Sequence, residues 1–200
     1  PEPDGAIADL LAGIAQDAGA AGRTPAIVAL DEAYAEFVDR SLVGLRNEHP
    51  NLVIVRTASK AYGLAGLRVG FAIARSETIA RIAPFRPPGS VSTVSVTVVT
   101  AALNDPSGMR ANVARVDSER DRLADALREA GWDVGPSVTN FLLVDLGTAE
   151  RAAAVATGLL ERGLVPRTFP EGHPLARALR LTIRDRAAND RLIAAAREIG

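Results

Sequence analysis

Residues 56–70 read RTASKAYGLAGLRVG and contain Lys60, the only lysine in the chain of 200 residues. The other 22 of its 23 basic residues are arginines. A lysine carries a primary amine that can lose its proton and add to a carbonyl group, whereas a guanidinium group stays protonated. A lone lysine is more often an ordinary surface residue, so the residues around Lys60 decide whether it is a Schiff-base lysine.

The residues around Lys60 have the chemistry of a phosphate site. Thr57 and Ser59 precede the lysine, and three glycines and Arg68 follow it. Arginine donates charge-assisted hydrogen bonds to phosphate, and glycine lets the backbone approach an anion. Glycines alone are weak support, since turns and tight packing also select glycine. Together with the lysine, the pattern predicts a site for a phosphorylated aldehyde.

A second motif, LDEAYAEF, occupies residues 30–37. Asp31 follows a short apolar run and is expected at the carboxyl end of a parallel strand, where open α/β sheets bind their ligands. A carboxylate at this place can keep a pyridine nitrogen protonated, which makes the ring an electron sink. Tyr34 could donate to the phenolic oxygen of such a ring. The alternative for Asp31 is a helix N-cap or a turn residue.

Apolar patterning predicts an α/β organisation. Short unbroken apolar runs at 26–30, 52–56 and 69–74 predict strands that helices bury on both faces. Helical spacing covers residues 7–18, whereas the stretch at 90–103 is ambiguous between strand and helix because β-branched residues favour a strand. The second half predicts a long helix from Met109 to Ala130, strands at 132–135, 140–146 and 179–183, an apolar segment at 164–169, and helices at 149–162 and 187–199.

Composition excludes several classes of function. The formal net charge is −1, so no strong field favours nucleic acid or an anionic membrane. The absence of cysteine excludes disulfides, thiolate metal ligands and cysteine nucleophiles, and no metal site is predicted. No apolar run is long enough to predict a membrane span. Nucleic acid and membranes are therefore not expected as partners.

Taken together, DEAYAEF and RTASKAYGLAGLRVGFAIA resemble the fold-type I pyridoxal-phosphate-dependent aminotransferases of class I/II. Within that family the chain is most similar to histidinol-phosphate aminotransferases. The joint match is specific, whereas either motif alone is only suggestive, and the likeness extends through the tail at 179–196. The resemblance implies pyridoxal 5′-phosphate as the cofactor. It also implies that Lys60 forms the internal aldimine and moves a proton between Cα and C4′.

The same resemblance implies roles for the residues around the cofactor. It places Asp31 on the pyridine nitrogen and Tyr34 on the phenolic oxygen. It places Ser59 and Arg68 on the cofactor phosphate, and Thr57 matches the phosphate-binding motif less closely.

The resemblance also selects two arginines for the substrate. Arg180 would anchor the α-carboxylate, and Arg167 would face the substrate's second anionic group. The alternative for either residue is a surface salt bridge. Arg184 departs from the family pattern, since many relatives have glycine after the strand that carries Arg180.

The implied fold class is α/β. It consists of a three-layer PLP-transferase-like large domain with a partial, mostly parallel sheet, and a smaller C-terminal α/β domain. Residues 1–86 would form the C-terminal part of the large domain, 87–107 the interdomain connection and 108–200 the small domain. The sequence has no initiator methionine and lacks the family's upstream cofactor-binding motifs. We therefore expect the C-terminal portion of a longer protein, which would be a homodimer at full length.

The expected function is amino-group transfer between histidinol phosphate, or an aromatic-type amino acid, and a 2-oxo acid. Such a role belongs to amino-acid biosynthesis, including histidine biosynthesis, in the cytoplasm. Two alternatives stay open: a decarboxylase of phospho-amino acids such as threonine phosphate, and a truncated, non-catalytic aminotransferase-like module. The joint presence of Lys60, Asp31, Tyr34 and Arg180 argues against a purely degenerate module.

Overall fold

The computed structural model describes residues 4–199, and the chain divides into two compact units, residues 1–110 and 111–200. No helix within residues 4–199 is both long and apolar enough to cross a membrane. The first unit contains, in chain order, α1 (Asp4–Ala20), β1 (Val28–Asp31), α2 (Ala35–Val38), β2 (Leu52–Thr57), β3 (Gly70–Ile73), α3 (Ser76–Ile82) and α4 (Thr93–Asn104).

The sheet of the first unit has the strand order β1-β2-β3. Strands β1 and β2 are parallel, with Asp31 opposite Val55, whereas β3 runs antiparallel to β2, with Thr57 opposite Gly70. The predicted position of Asp31, at the carboxyl end of a parallel strand, is confirmed. Parallel pairing brings the carboxyl ends of β1 and β2 to the same edge, and the two sequence motifs follow these two strands.

The two faces of this sheet differ in burial. Leu52 and Ile54 are fully buried with Leu11 of α1 on one face. On the other face Ala29 and Ala72 are exposed, and Val55 is 38% exposed. Val53 on the same face is 4% exposed, so within residues 4–110 this face is partly covered and the predicted burial on both faces is met only in part. Ala29 and Ala72 belong to the unbroken apolar runs in the sequence, but the small alanine side chain adds little apolar surface to this face.

The stretch that was ambiguous in sequence forms helix α4. Its start is fixed by an N-cap, in which the Oγ of Ser92 accepts a hydrogen bond from the backbone N–H of Ser95 at 3.0 Å. Only Ser95 and Val99 of this helix are buried, whereas Val94 is 69% and Val96 49% exposed. The local cap and the Ala-Ala-Leu end thus outweigh the strand preference of the β-branched residues.

The second unit is built around an antiparallel sheet with the order β4-β5-β6. Its core contains Leu142 and Val144 of β5 and Leu179 and Leu181 of β6, all no more than 3% exposed. The apolar segment at 164–169 adds one isolated bridge to this sheet rather than a full strand. The elements that continue the chain are α5 (Ser107–Glu129), β4 (Asp133–Val134), β5 (Phe141–Asp145), α6 (Ala149–Glu161), β6 (Ala178–Thr182) and α7 (Arg186–Ile199).

Candidate active site

Lys60 lies three residues beyond β2 and is partly buried. Its Nζ atom is 5.4 Å from the centre of the Tyr34 ring, so the structure brings the key residues of the two motifs together. Within residues 4–199 the Nζ atom has no hydrogen-bond or ion-pair partner. An amine that is partly shielded from water and unpaired is suited to act as a nucleophile.

The loop that carries Lys60 is held by its backbone and by small side chains. Ala58 and Ala61 on either side of the lysine are fully buried, which leaves no room for larger residues. The backbone N–H of Gly63 donates to the Lys60 carbonyl at 3.0 Å, and Gly63 has a φ of 69°. This left-handed conformation favours glycine and turns the chain back towards β3.

Asp31 ends β1, and its side chain is exposed. Its Oδ1 atom accepts a hydrogen bond from the backbone N–H of Ala33 at 2.9 Å. This is the turn-forming role that the sequence left open as an alternative. The same turn leads into Tyr34, which precedes α2, so Asp31 helps to set the direction of the chain towards Tyr34.

The hydroxyl group of Thr57 takes part in local structure. It donates to the carbonyl of Val69 at 3.3 Å and accepts from the backbone N–H of Ser59 at 3.1 Å. The side chain therefore ties the start of the Lys60 loop to the segment that enters β3. Because Thr57 is used in this way, Ser59 is the hydroxyl of the pair that is better suited to meet a ligand.

Arg68 has an unusual backbone conformation. Its φ and ψ are 55° and 43°, in the left-handed region, which costs a non-glycine residue about 1–2 kcal/mol. The side chain is exposed, and Nη1 donates to the carbonyl of Ala65 at 3.2 Å. Strained residues of this kind concentrate at ligand-binding sites, where the surrounding structure enforces them.

Sequence reasoning missed a charged group beside these motifs, formed by Arg56, Glu32 and Glu36 and called here the Arg56 cluster. Arg56 donates to Oε2 of Glu32 from Nε at 3.1 Å and from Nη2 at 2.9 Å. Its Nη1 lies 3.5 Å from Oε1 of Glu36. The side chains are 26%, 9% and 11% exposed, respectively. The cluster therefore links the end of β2, just before Lys60, to the connection from Asp31 to Tyr34.

Further contacts complete the Arg56 cluster. Glu32 accepts from the backbone N–H of Leu42 at 2.6 Å and from Oγ of Ser41 at 2.8 Å. Burial, and after it the charge of Glu36, raises the pKa of Tyr62, while Arg56 acts in the opposite direction. The sequence signal for this cluster was an arginine that ends an apolar strand, since a partly buried guanidinium needs acidic partners.

The two candidate substrate arginines lie side by side in the second unit. The backbones of Arg167 and Arg180 exchange two hydrogen bonds, of 3.0 and 2.9 Å, across an antiparallel bridge. Both side chains are exposed, and the guanidinium carbon of Arg180 is 5.0 Å from the centre of the Phe141 ring. Neither guanidinium group is paired with an acid among the described residues, so the salt-bridge alternative has no support there. Adjacent unpaired guanidinium groups are suited to bind an anion.

Comparison with known proteins identifies relatives of the whole segment. Residues 3–195 match the family described as aminotransferase class I and II. A histidinol-phosphate aminotransferase from Thermococcus gammatolerans is 39% identical over 175 residues, which cover 86% of this chain and 47% of that protein. An aromatic amino acid aminotransferase from Mycobacteroides abscessus is 40% identical, with 72% of this chain and 42% of that protein covered. The chain thus spans about half the length of the curated relatives that it matches.

Solved structures show the same likeness. The histidinol-phosphate aminotransferase from Sinorhizobium meliloti, in complex with pyridoxal-5′-phosphate, superposes with a TM-score of 0.79 at 31% identity, over 86% of this chain and 48% of that one. The L-threonine-O-3-phosphate decarboxylase from Porphyromonas gingivalis superposes with a TM-score of 0.71 at 28% identity, over 84% and 53% of the respective chains. These matches confirm the predicted α/β fold class, and the chain belongs to the class I and II aminotransferase family.

Proposed function

We propose that this chain is part of a pyridoxal-phosphate-dependent aminotransferase that moves an amino group between histidinol phosphate, or an aromatic-type amino acid, and a 2-oxo acid. The observation that carries the proposal is the environment of Lys60. The chain's single lysine is partly buried, its Nζ has no hydrogen-bond or ion-pair partner among residues 4–199, and it faces Tyr34. Relatives named as histidinol-phosphate and aromatic aminotransferases support the substrate class.

The residues around Lys60 fit pyridoxal phosphate. Lys60 provides a primary amine for the aldehyde, and Tyr34 beside it provides a phenol for the phenolic oxygen. The exposed carboxylate of Asp31 is available for the pyridine nitrogen. A hydroxyl from Ser59 and a guanidinium from Arg68 provide groups for the phosphate. The bound cofactor supplies a ring that withdraws electrons from the substrate's α-carbon and so weakens the bonds at that carbon.

Each residue then has a distinct task. Asp31 would hold a proton on the pyridine nitrogen, and the Tyr34 hydroxyl would donate to the phenolic oxygen. Ser59 and Arg68 would bind the phosphate, while Thr57 holds the backbone of Ser59. Lys60 would hold the cofactor covalently through its amine.

The amine of Lys60 would act as the general base. Its Nζ would remove the proton from the substrate's α-carbon and return it to the carbon on the other side of the transferred nitrogen. Arginine cannot do this because its guanidinium group does not lose a proton at neutral pH. The partial burial of Lys60 limits competition from water for this proton.

The substrate's anionic groups are assigned to Arg180 and Arg167. Arg180 would bind the α-carboxylate, and Arg167 would bind the second anionic group. Each would use bidentate, charge-assisted hydrogen bonds. Their exposed position and their lack of acidic partners within residues 111–199 support this assignment. The ring of Phe141 beside Arg180 limits the directions in which that side chain can move.

A second candidate function is the decarboxylation of a phospho-amino acid. Similarity to the L-threonine-O-3-phosphate decarboxylase favours it, since the same fold and the same kinds of residues would serve both reactions. Which bond at the α-carbon breaks would depend on how the chain's residues orient the substrate. Product analysis therefore separates the two functions.

The testing experiment is reductive trapping of the cofactor. The chain is mixed with pyridoxal phosphate, treated with borohydride and digested, and the peptides are mapped by mass spectrometry. We expect a covalent adduct on Lys60 and none in Lys60→Arg, which keeps the charge but removes the reactive amine. A version extended upstream is treated in parallel and assayed for amino transfer from histidinol phosphate and for carbon dioxide release from threonine phosphate.

The outcomes distinguish an aminotransferase, a decarboxylase and a non-catalytic module. An adduct with 2-oxo-acid-dependent amino transfer supports the aminotransferase, and carbon dioxide release supports the decarboxylase. The absence of an adduct from both the chain and the extended version would overturn both proposals and leave a non-catalytic module.

The remaining assignments rest on the resemblance. We assign residues 1–86 to a large cofactor-binding domain, 87–107 to the connection and 108–200 to a small domain. We also expect the full-length protein to be a homodimer in the cytoplasm that serves amino-acid biosynthesis. Sedimentation of the full-length protein measures its oligomeric state directly.

A further inference from the structure

Tyr34, whose ring faces the amine of Lys60, lies between two glutamates that contact the same arginine. Glu32 stands two residues before Tyr34, and Glu36 stands two residues after it. Arg56 donates to Oε2 of Glu32 from Nε at 3.1 Å and from Nη2 at 2.9 Å, and its Nη1 lies 3.5 Å from Oε1 of Glu36. Because Arg56 precedes Lys60 by four residues, one guanidinium group connects both sides of Tyr34 to the strand that leads into the lysine.

Glu32 is held from several directions. Its backbone N–H donates to the carbonyl of Val55 at 2.8 Å, which continues the pairing of β1 with β2. Its carboxylate accepts from the backbone N–H of Leu42 at 2.6 Å and from Oγ of Ser41 at 2.8 Å, in addition to the two hydrogen bonds from Arg56. The chain just before Tyr34 therefore has a fixed starting point.

Glu36 holds the chain just after Tyr34. It lies in the first turn of α2, which begins directly after the tyrosine. Its neighbours Ala35 and Phe37 are 7% and 8% exposed, and the ring of Phe37 is 6.1 Å from that of Tyr34. A movement of Glu36 would therefore carry this short packed helix, and Tyr34 with it.

The other end of the connection is the loop that carries Lys60. Arg56 lies opposite Phe71 in the pairing of β2 with β3, so the sheet holds its backbone. Two charges of the Arg56 cluster act on Tyr62, which follows Lys60 by two residues. Burial raises the pKa of Tyr62, the charge of Glu36 raises it further, and the charge of Arg56 lowers it. The charged groups of the cluster therefore lie near the lysine loop as well as beside Tyr34.

The burial of the two glutamates makes Arg56 hard to replace. Their side chains are 9% and 11% exposed, so both depend on a cationic partner more than on water. Arg40 is partly buried and lies four residues after Glu36, but it belongs to the same segment as both glutamates and cannot tie that segment to β2. Without Arg56, repulsion between the carboxylates of Glu32 and Glu36 would favour a different path of the chain around Tyr34.

From these contacts we infer that Arg56 is a positioning residue, which sets the separation between the phenol of Tyr34 and the amine of Lys60. Contacts on both sides of Tyr34 restrict its position and its tilt, whereas a contact on one side would leave it free to turn. The consequence for the cofactor rests on the proposed function, in which the phenol and the amine serve one bound ring. A misplacement of about 1 Å between groups that act together can cost about a hundredfold in rate.

The test uses the single lysine of the chain. The full chain, prepared with ¹³C-labelled lysine and without cofactor, gives one set of lysine side-chain signals in an NMR spectrum. The Hε protons of Lys60 should lie upfield of those of free lysine, because the amine lies over the Tyr34 ring. Tyr34→Leu removes the ring and marks the position of the signal without its influence. Arg56→Met should move the signal most of the way to that position, and Glu36→Gln should move it less far in the same direction.

Reductive trapping with pyridoxal phosphate supplies a second measurement. Arg56→Met should slow the formation of the adduct on Lys60 by at least about tenfold. Arg46→Met is the matched control, since Arg46 is also partly buried in the first unit and donates to the carbonyl of Val43 at 2.7 Å. It should leave both the lysine signal and the rate of trapping unchanged.

The NMR measurement decides the inference without any cofactor chemistry. A Lys60 signal that stays in place in both Arg56→Met and Glu36→Gln would overturn it and leave Arg56 as a stabilising residue only. A signal that does not move in Tyr34→Leu, or that moves as far in the Arg46 control, would overturn it too. If Arg56→Met does not fold, Glu36→Gln decides, because it keeps the pair of Arg56 with Glu32. A signal that moves as expected in a chain that forms no adduct would support the inference and contradict the proposed function.

Discussion

The two units of this chain use similar elements but bury them differently. In the second unit Leu142 and Leu179 are no more than 1% exposed, within a sheet whose helices cover its apolar face. In the first unit Val55 on the sheet is 38% exposed, and Val94 and Val96 on α4 are 69% and 49% exposed. Both units have a buried core, but among the described residues the first unit exposes nine large apolar side chains and the second only three.

The candidate residues of the first unit lie in connections at one edge of its sheet, after β1 and β2. They are held by hydrogen bonds of the backbone and by the Arg56 cluster. In the second unit Arg180 lies on β6 between the buried Leu179 and Leu181, and Arg167 lies on the segment bridged to it, so the stability of this region depends mainly on apolar burial.

The largest expected contrast comes from matched leucine truncations. Leu142→Ala removes a side chain that is 1% exposed and should lower the free energy of unfolding by about 2–5 kcal/mol, because it leaves a cavity. Leu103→Ala on α4 removes a side chain that is 42% exposed and should cost no more than about 1 kcal/mol. Urea unfolding measures both. Equal losses would contradict the comparison and would show that α4 is covered in solution.

A smaller effect is expected from Arg56→Met, which leaves Glu32 and Glu36 without their cation. The free energy of unfolding should fall by about 2–3 kcal/mol, since partly buried carboxylates lose charge-assisted partners. Pyridoxal-phosphate trapping at Lys60 should weaken as well, because the cluster aligns the two motifs. Glu32→Gln combined with Arg56→Met should cost less than the sum of the single changes. Additive losses would show that the residues do not act as a pair.

The sequence predicted the parts of the molecule that depend on local patterns. The long helix from Met109 was predicted from its apolar spacing and is confirmed as α5, and Asp31 does end a parallel strand. Both features follow from periodicity and from polar residues that interrupt apolar runs. The candidate residues Lys60 and Asp31 were selected for their chemistry, and their roles remain predictions.

Features that depend on distant partners were not predicted. The Arg56 cluster joins Arg56 to glutamates that lie 20 and 24 positions before it, and no periodic pattern signals such a pairing. The sequence did not predict which residues of the first sheet are exposed, because an alanine counts as apolar whether it is covered or not. The hydrogen bonds of the Arg184 backbone likewise come from Asn189 and Arg115, which lie on two different helices.

A pH-dependent effect is expected from Glu119 in the second unit. Its hydrogen bond with Arg122, and after it that with Asn189, holds the pKa of Glu119 below its ordinary value, although burial acts in the opposite direction. A lowered pKa in the folded state means that the stabilisation is present at neutral pH. It is lost as the pH falls from the ordinary glutamic acid pKa through the lowered one.

Glu119→Gln should therefore lower the free energy of unfolding by about 1.5–3 kcal/mol at pH 7, because charge-assisted hydrogen bonds are lost. The difference from the unaltered chain should shrink at acidic pH, where the carboxyl group is protonated in both states. Urea unfolding at a series of pH values measures it. A difference that stays constant with pH would show that the charge of Glu119 does not matter. Asp125→Asn, at an exposed pair with Arg128, should change stability by less than about 1 kcal/mol.

The smallest expected change is an increase in the free energy of unfolding, from a substitution at Arg68 that should also weaken cofactor trapping. Arg68→Gly relieves the left-handed backbone at φ 55° and should raise the free energy of unfolding by about 0.5–1 kcal/mol, after the entropy cost of glycine is subtracted. The same change removes the guanidinium group assigned to the cofactor phosphate, so trapping of pyridoxal phosphate at Lys60 should weaken. Asp39→Gly is the matched control, since Asp39 is the other described non-glycine residue with positive φ, at 46°. It should leave trapping unchanged and raise stability less, because aspartate tolerates this conformation better than arginine. If Arg68→Gly is more stable and still traps the cofactor as well as the unaltered chain, Arg68 has no role at the phosphate.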